Sequence, residues 1–159
     1  MSADGGRWAV VVVNYGSSAL LEANLVVTAA DARPDIVVVV DNPTTDAERA
    51  RVRELAGRER WTIVEPAVNT GFGGGVNIGV AAAVEQGATA LLLLNPDARI
   101  DADSVIRLRA ATDREPRALC APRIVTPAGS VWFAGADVLL ADGRTRGRAK
   151  RPQIGRAHV

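Results

Sequence analysis

Two runs of four consecutive valines, in "WAVVVVN" (residues 8–14) and "DIVVVVD" (residues 35–41), constrain this chain more than any other feature. Valine is stiff at its first side-chain torsion and fits a pleated surface better than a helix. An unbroken apolar run also has no side to turn toward water, which suits a parallel strand buried on both faces. Two more strand-sized aliphatic runs follow, "WTIVE" (residues 61–65) and "ATALLLLN" (residues 88–95). The segments between them read as helices. Ser17 or Ser18 can cap a helix running to about Ala30, with Pro34 beyond its end. Thr45 and Glu48 have capping-box spacing before a charged helix that stops near Gly57. A third helix is expected from about Gly74 to Gly87, and a fourth from about Asp103 to Asp113, with Pro116 after it. Strand and helix in alternation predict an α/β domain with a mainly parallel sheet flanked by helices. After Pro122 the pattern shifts to short pieces such as "SVWFAGADVLL", which predict a short β-rich C-terminal part.

Composition removes several alternatives. At 159 residues the chain is one domain or most of one, and its formal net charge of +1 gives no general attraction to nucleic acid. Aromatic residues are scarce, so the core must be built from Ala, Val and Leu. The single cysteine, Cys120, excludes an intramolecular disulfide and agrees with a cytoplasmic location. The longest apolar runs are strand-sized, too short for a signal peptide or a membrane span. A basic run, "RTRGRAKR" (residues 144–151), reads as a solvated loop, or as peripheral contact with anionic lipid heads at the inner face of the plasma membrane. The end of the chain, "IGRAHV", resembles a translated sequencing adapter. Residues 153–159 are therefore expected to be a non-native tail, and His158 receives no role.

Residues 69–79, "NTGFGGGVNIG", pack five glycines and two asparagines into eleven positions. A glycine-rich turn feeding a helix brings main-chain amides against a phosphate where side chains would hold it off. Two familiar phosphate loops fail on spacing. G-x-G-x-x-G started at Gly71 puts its third glycine on Val76, and started at Gly73 on Ile78. G-x-x-x-x-G-K-[ST] fits Gly74 and Gly79, but Val80 and Ala81 stand where Lys and Ser/Thr are needed.

In an open parallel sheet, ligands collect at the carboxyl ends of the strands. Those ends carry Asn14 and Tyr15, then Asp41 and Asn42, then Asn69 with the glycine stretch, then Asn95, Pro96 and Asp97. Each alone is an ordinary turn former; their convergence favours a site. Asp97 follows "LLLLNP", a run expected to be buried, with Pro96 fixing the backbone before it. Its carboxylate can ligate a hard divalent cation on a diphosphate, or it can cap the next turn.

These motifs resemble the inverting family 2 glycosyltransferases, which have the GT-A nucleotide-sugar fold, and especially their rhamnosyltransferase-like members. "VVVVNYGSSALLEANL" looks like their first strand and helix, "IVVVVDNPTTD" like their second strand, "VNTGFGGGVNIGV" like their N-x-G-F-x-G-G-x-N-x-G loop, and "ATALLLLNPDARI" like their L-L-N-P-D-A segment. The resemblance covers roughly residues 8–110. It implies that Asn14 and Tyr15 line the base pocket and that Asp41 binds the base or ribose. Asn69, Gly73, Gly74 and Asn77 would shape the loop around nucleotide and sugar, and Asp97 would hold Mg2+ or Mn2+ on the diphosphate. Asn95 stands where many relatives carry the first aspartate of D-x-D.

The same resemblance implies a donor such as dTDP-rhamnose or a UDP-sugar, a glycan or lipid-linked acceptor, and a place in cell wall polysaccharide synthesis. It divides the chain into a nucleotide-sugar-binding domain (residues 1–125), the start of an acceptor-side region (126–152) and the tail. The family's general base lies in an acidic motif that nothing here matches. Asp137 and Asp142 are the nearest acidic residues and read as turn residues, so the base is expected beyond the C-terminus and this chain alone is expected to be inactive. Trp132 and Phe133 fit core packing, or an acceptor sugar. Two rivals remain: a nucleotide-binding or regulatory module without transferase activity, and a sugar-phosphate nucleotidylyltransferase. The latter would need a basic glycine loop after the first strand, where this chain has "NYGSSALLE".

Overall fold

A computed structural model describes residues 6–139 and 144–147. Asp142, His158, the tail and the second half of the basic run lie outside the described residues. The chain divides into two compact units, Met1–Val105 and Ile106–Val159.

The first unit is built on a four-stranded sheet in the order β3-β2-β1-β4. Its strands are β1 (Arg7–Asn14), β2 (Ile36–Asp41), β3 (Thr62–Val64) and β4 (Ala88–Leu94). Every pairing is parallel. The valine runs take the two central places, with Val10 beside Val37 and Val13 beside Val40. Alternate side chains then enter two separate cores. On one face Trp8, Val10, Val12, Val37 and Val39 pack with Leu21, Leu25, Val52, Leu55 and Val105 from the helices. On the other, Ala9, Val11, Ile36, Val38 and Val40 pack with Ala83. Burial on both faces explains why these strands show no polar alternation.

The first helical segment runs from α1 (Ser18–Leu20) through a π-helical stretch (Leu21–Leu25) into α2 (Val26–Ala32). No side chain caps its start, in contrast to the expected role of Ser17 or Ser18. Helix α3 (Asp46–Glu59) begins as its sequence predicts: Thr45 Oγ1 accepts the Glu48 amide at 3.2 Å. The reciprocal half of the capping box is diverted, because the Glu48 carboxylate accepts from the Ser18 amide at 3.2 Å instead. Helix α4 spans Gly71–Glu85, starting three residues earlier than expected, so the glycine stretch forms its first turns. Helix α5 is Ala102–Arg114.

One expectation fails in an informative way. "LLLL" in β4 is not uniformly buried: Leu91 and Leu93 are 41% and 50% exposed. Among the described residues β4 pairs only with β1, so it is an outer strand. Leu91 and Leu93 share the α4 face with Ala9 and Val11, and α4 lies mainly over β1 and β2.

The second unit contains two antiparallel pairs. Ile124–Val125 (β5) pairs with Val131–Phe133 (β6), and Ala136–Leu139 (β7) with Arg144–Gly147 (β8). Gly129, at φ +81°, turns the first pair, and Thr126 and Ser130 close it through their hydroxyls at 2.7 Å. Trp132 is 69% exposed and meets Phe133 in a tilted ring contact, so it is not a core residue of this unit. Asp137 sits in β7, opposite Arg146.

Candidate functional site

Because the sheet is wholly parallel, all four strands end at the same edge. Asn14 and Asp41 are the last residues of β1 and β2 and are direct register partners. Asn14 Nδ2 donates to Asp41 Oδ1 at 2.7 Å, and the Asn42 amide donates to the Asn14 carbonyl at 3.0 Å. Both side chains are almost wholly buried, Asn14 at 0% and Asp41 at 1% exposure. Burial pushes the Asp41 carboxyl above the usual carboxylate range, opposed by the Asn14 hydrogen bond and the nearby Arg49 charge. Four buried side-chain atoms lack a hydrogen-bond partner among the described residues: Asn14 Oδ1, Asp41 Oδ2, Thr44 Oγ1 and Arg49 Nε. The first three belong to the ends of β1 and β2 or to the stretch just after β2, and Arg49, in the first turn of α3, lies 3.9 Å from Asp41 Oδ2. Buried polar atoms are rarely left unpaired, so their concentration at this edge makes it the candidate site.

Asn42 carries a role that its identity as a turn former had hidden. It is 2% exposed, and its Oδ1 accepts from both the amide (3.0 Å) and the hydroxyl (3.1 Å) of Thr70, the residue before α4. Asn69 Oδ1 accepts the Gly71 amide at 2.8 Å. The Asn42 bonds tie the start of α4 to the end of β2, and the Asn69 bond closes the turn into the helix. A signal was available, since Asn42 directly follows Asp41 at a strand end.

The glycines divide into two groups. Gly71 has φ +66°, a left-handed conformation that favours glycine. Gly75 and Gly79 face the sheet: a Cβ on Gly75 would lie 2.7 Å from Val13 Cγ1, and one on Gly79 would overlap Val11. These two let the helix approach the strands closely, which corrects a reading of the whole stretch as a ligand loop. Gly73 is different, because a Cβ there would meet nothing within 4 Å. Gly74 would crowd only Thr70, at 2.9 Å. Asn77 lies two residues past Gly75, about 200° around the helix, and is exposed away from the sheet.

At the β4 end, Asp97 occupies a turn closed by the Ala98 amide donating to the Asn95 carbonyl at 3.1 Å. The turn is anchored by Asn24, whose Nδ2 donates to the Pro96 carbonyl at 2.9 Å. Asp97 is exposed, as are Tyr15 (61%) and Phe72 (60%). Among the described residues no three His, Cys, Asp or Glu side chains gather as metal ligands. The oxygen donors at this turn, the Asp97 carboxylate and the Asn95 amide, suit a hard cation whose remaining ligands come from phosphate and water.

The sequence pattern of "Glycosyl transferase family 2" matches residues 9–155. The chain belongs to glycosyl transferase family 2. No curated protein matches it. Solved structures similar to it include S. aureus TarS residues 1–349 in complex with UDP-GlcNAc, at 22% identity and a TM-score of 0.53, covering 68% of this chain and 31% of that one. Another is the mannosyltransferase PcManGT from Pyrobaculum calidifontis in complex with GDP-Man and Mn2+, at 22% identity and a TM-score of 0.57, covering 76% and 34%. These likenesses establish the GT-A fold for this family 2 domain. The chain spans about one third of the length of each of these two structures. No helix among the described residues is long and apolar enough to cross a membrane.

Proposed function

We propose that this domain binds the donor of a glycosyltransferase, a nucleoside-diphosphate sugar, at the carboxyl edge of its sheet. The observation that carries this reading is the buried Asn14–Asp41 pair with its unpartnered oxygens, held beside the start of α4 by Asn42. Asp41 Oδ2 and Asn14 Oδ1 are acceptors for the N–H or O–H groups of a base or ribose. Their burial means that such a group enters only when the edge opens locally. Exposed Tyr15 offers a flat ring to the base. The first turn of α4, bare at Gly73 and held by Asn69, leaves room for the donor to approach the main chain, and the helix N-terminus favours its negative charge. Asn77, on the outer side of α4, is the weakest member of this set.

Asp97, with the Asn95 amide oxygen, would hold Mg2+ or Mn2+; PcManGT was solved with GDP-Man and Mn2+. When bound, that ion neutralises charge on the departing diphosphate, an effect worth several kcal/mol in comparable sites. With one carboxylate in place of two, this chain holds the ion less strongly than a D-x-D pair would. The reaction we propose is a single displacement with inversion, the acceptor hydroxyl attacking the anomeric carbon. The sugar we favour is rhamnose, on the likeness of the "NPDA" and glycine segments to rhamnosyltransferase-like members, with a glycan or lipid-linked acceptor at the inner membrane face. The general base, whose contribution is roughly 10²–10⁴-fold, is assigned to residues outside this chain.

Titration with UDP, GDP and dTDP, with and without Mn2+, tests the binding. Incubation with dTDP-rhamnose or UDP-sugars and a lipid-linked acceptor tests transfer. Metal-assisted binding without turnover is the expected result. Equal titrations with and without Mn2+ would overturn the assignment of Asp97. Acceptor-dependent turnover would place the base within these residues and bring Asp137 back into consideration.

A further inference from the structure

We propose that Arg49 is a positioning residue for Asp41, the counter-charge that holds this buried carboxylate as an acceptor for the donor nucleotide. The proposal rests on the donor-site reading above for its purpose, but its geometry stands independently. Thr45 starts α3, and Arg49 follows one turn later, its amide donating to the Thr45 carbonyl at 3.0 Å. That turn lays the Arg49 side chain over the ends of β2 and β3. Its Nη2 donates to the Pro66 carbonyl at 3.1 Å, which fixes the guanidinium. Its Nε lies 3.9 Å from Asp41 Oδ2 and 3.6 Å from Glu65 Oε1, and has no hydrogen-bond partner.

Glu65 is the competitor for Arg49, and it is already occupied. Arg53 Nε donates to both Glu65 oxygens, at 3.0 and 2.9 Å. With Glu65 neutralised from α3's next turn, the Arg49 charge is left for Asp41. The charged groups acting on Asp41 are Arg49, Arg53 and Glu48 from α3 and Glu65 from the stretch after β3. Its β1 neighbour is the neutral amide of Asn14. Without Arg49, the raising effects of burial, Glu65 and Glu48 would be opposed by the Asn14 hydrogen bond and the charge of Arg53 alone, and a buried carboxyl in that setting takes up a proton more readily. A protonated Asp41 would present a donor where the nucleotide needs an acceptor.

The decisive measurement is the titration of the Asp41 carboxyl, followed by 13C NMR of protein labelled at aspartate Cγ and assigned with Asp41→Asn. Arg49→Met should raise the midpoint by one pH unit or more, and Arg49→Lys should return most of the shift. Glu65→Gln should lower it, because Glu65 itself raises the Asp41 carboxyl, and Arg49→Gln serves if Arg49→Met does not fold. An unchanged midpoint in Arg49→Met, or in Arg49→Gln where that variant must stand in, overturns the proposal. UDP and Mn2+ binding is then compared at a pH between the two measured Asp41 midpoints and at a pH above both. Arg49→Met should lose affinity at the lower pH and recover at the higher, a pH dependence that loss of packing alone would not give; equal loss at both overturns it. Absence of nucleotide binding in the wild type, with the carboxyl shifts as expected, would instead reject the donor-site reading and leave the Arg49–Asp41 coupling standing.

Discussion

The two strand ends that carry aspartates are built in opposite ways. Asp41, at the end of β2, is almost wholly buried, bonded to Asn14 and faced by Arg49. Asp97, after β4, stands exposed on a turn whose anchor, Asn24, holds the backbone and not the carboxylate. The cause lies in the sheet order. β2 is a central strand covered on both faces, whereas β4 is the outermost strand among the described residues. The β2 end therefore has its polar groups already placed by the protein, and what a ligand must add is the local opening that exposes them. The β4 end supplies one carboxylate to a partner that must bring its own ligands. Donor recognition by such a domain would begin at the β1–β2 edge and be completed at β4.

The largest expected effect would break the pre-organised side of that contrast. Gly79→Val puts a branched side chain into Val11 and within reach of Val40, both members of the buried core on that face. Overpacking of this kind should cost about 3 kcal/mol, read as a lowered urea midpoint. It should also lift α4 away from the β2 end and weaken nucleotide binding. An unfolding free energy within about 0.5 kcal/mol of wild type, by the usual tolerance for surface changes, would show that α4 is not held by this contact.

Asp41→Asn comes next. Binding should fall by about 100-fold, some 2.7 kcal/mol, while the fold should not be weakened at neutral pH. The sign follows from linkage. Burial raises the Asp41 carboxyl in the folded state, so its contribution to stability is fully present below the unfolded value of about 4. That contribution is lost as pH rises through the folded value. Melting temperatures of wild type and Asp41→Asn measured across the acid range should therefore diverge above about pH 4, with the variant gaining relative to wild type. Curves that stay parallel would show that the buried charge costs the fold nothing.

Much of this arrangement was legible in the residues. Val10–Val13 and Val37–Val40 announce central parallel strands because no other environment hides both faces of such a run. A parallel sheet then puts Asn14, Asp41, Asn69 and Asp97 at one edge without further information. Other features were not legible. Leu91 and Leu93 look like Val11 and Val38 on paper, yet strand order decides which are covered, and order depends on contacts distant in sequence. The glycines of residues 71–79 could not be sorted into packing and open positions until α4 was seen against Val11 and Val13. The Glu48 carboxylate satisfied capping-box spacing but bonds Ser18, because α1 lies closer to it in space than the pattern can express.

Asp97→Ala sharpens the contrast from the other side. Stability should change by less than about 0.5 kcal/mol, as for exposed positions in general. Binding should lose only its Mn2+-dependent part, on the order of tenfold or 1.4 kcal/mol. The metal-free affinity, which would be carried by the β1–β2 edge, should stay as in wild type. Loss of affinity with and without Mn2+ alike would mean that the two strand ends act as one unit.

The smallest expected effect concerns Gly73, where folding and binding demands separate. The position is helical, has ordinary backbone angles and faces open space. Alanine there should stabilise the helix by about 0.5–1 kcal/mol, since glycine loses more backbone freedom on folding. A glycine kept for the fold would show no such gain, as with Gly79, where even one added carbon overlaps Val11. If the open space over Gly73 is where the donor passes, Gly73→Ala should raise the melting temperature and yet weaken nucleotide binding a few-fold. A stabilised variant with unaltered affinity would remove Gly73 from the site and confine the donor to the Asn14–Asp41 edge.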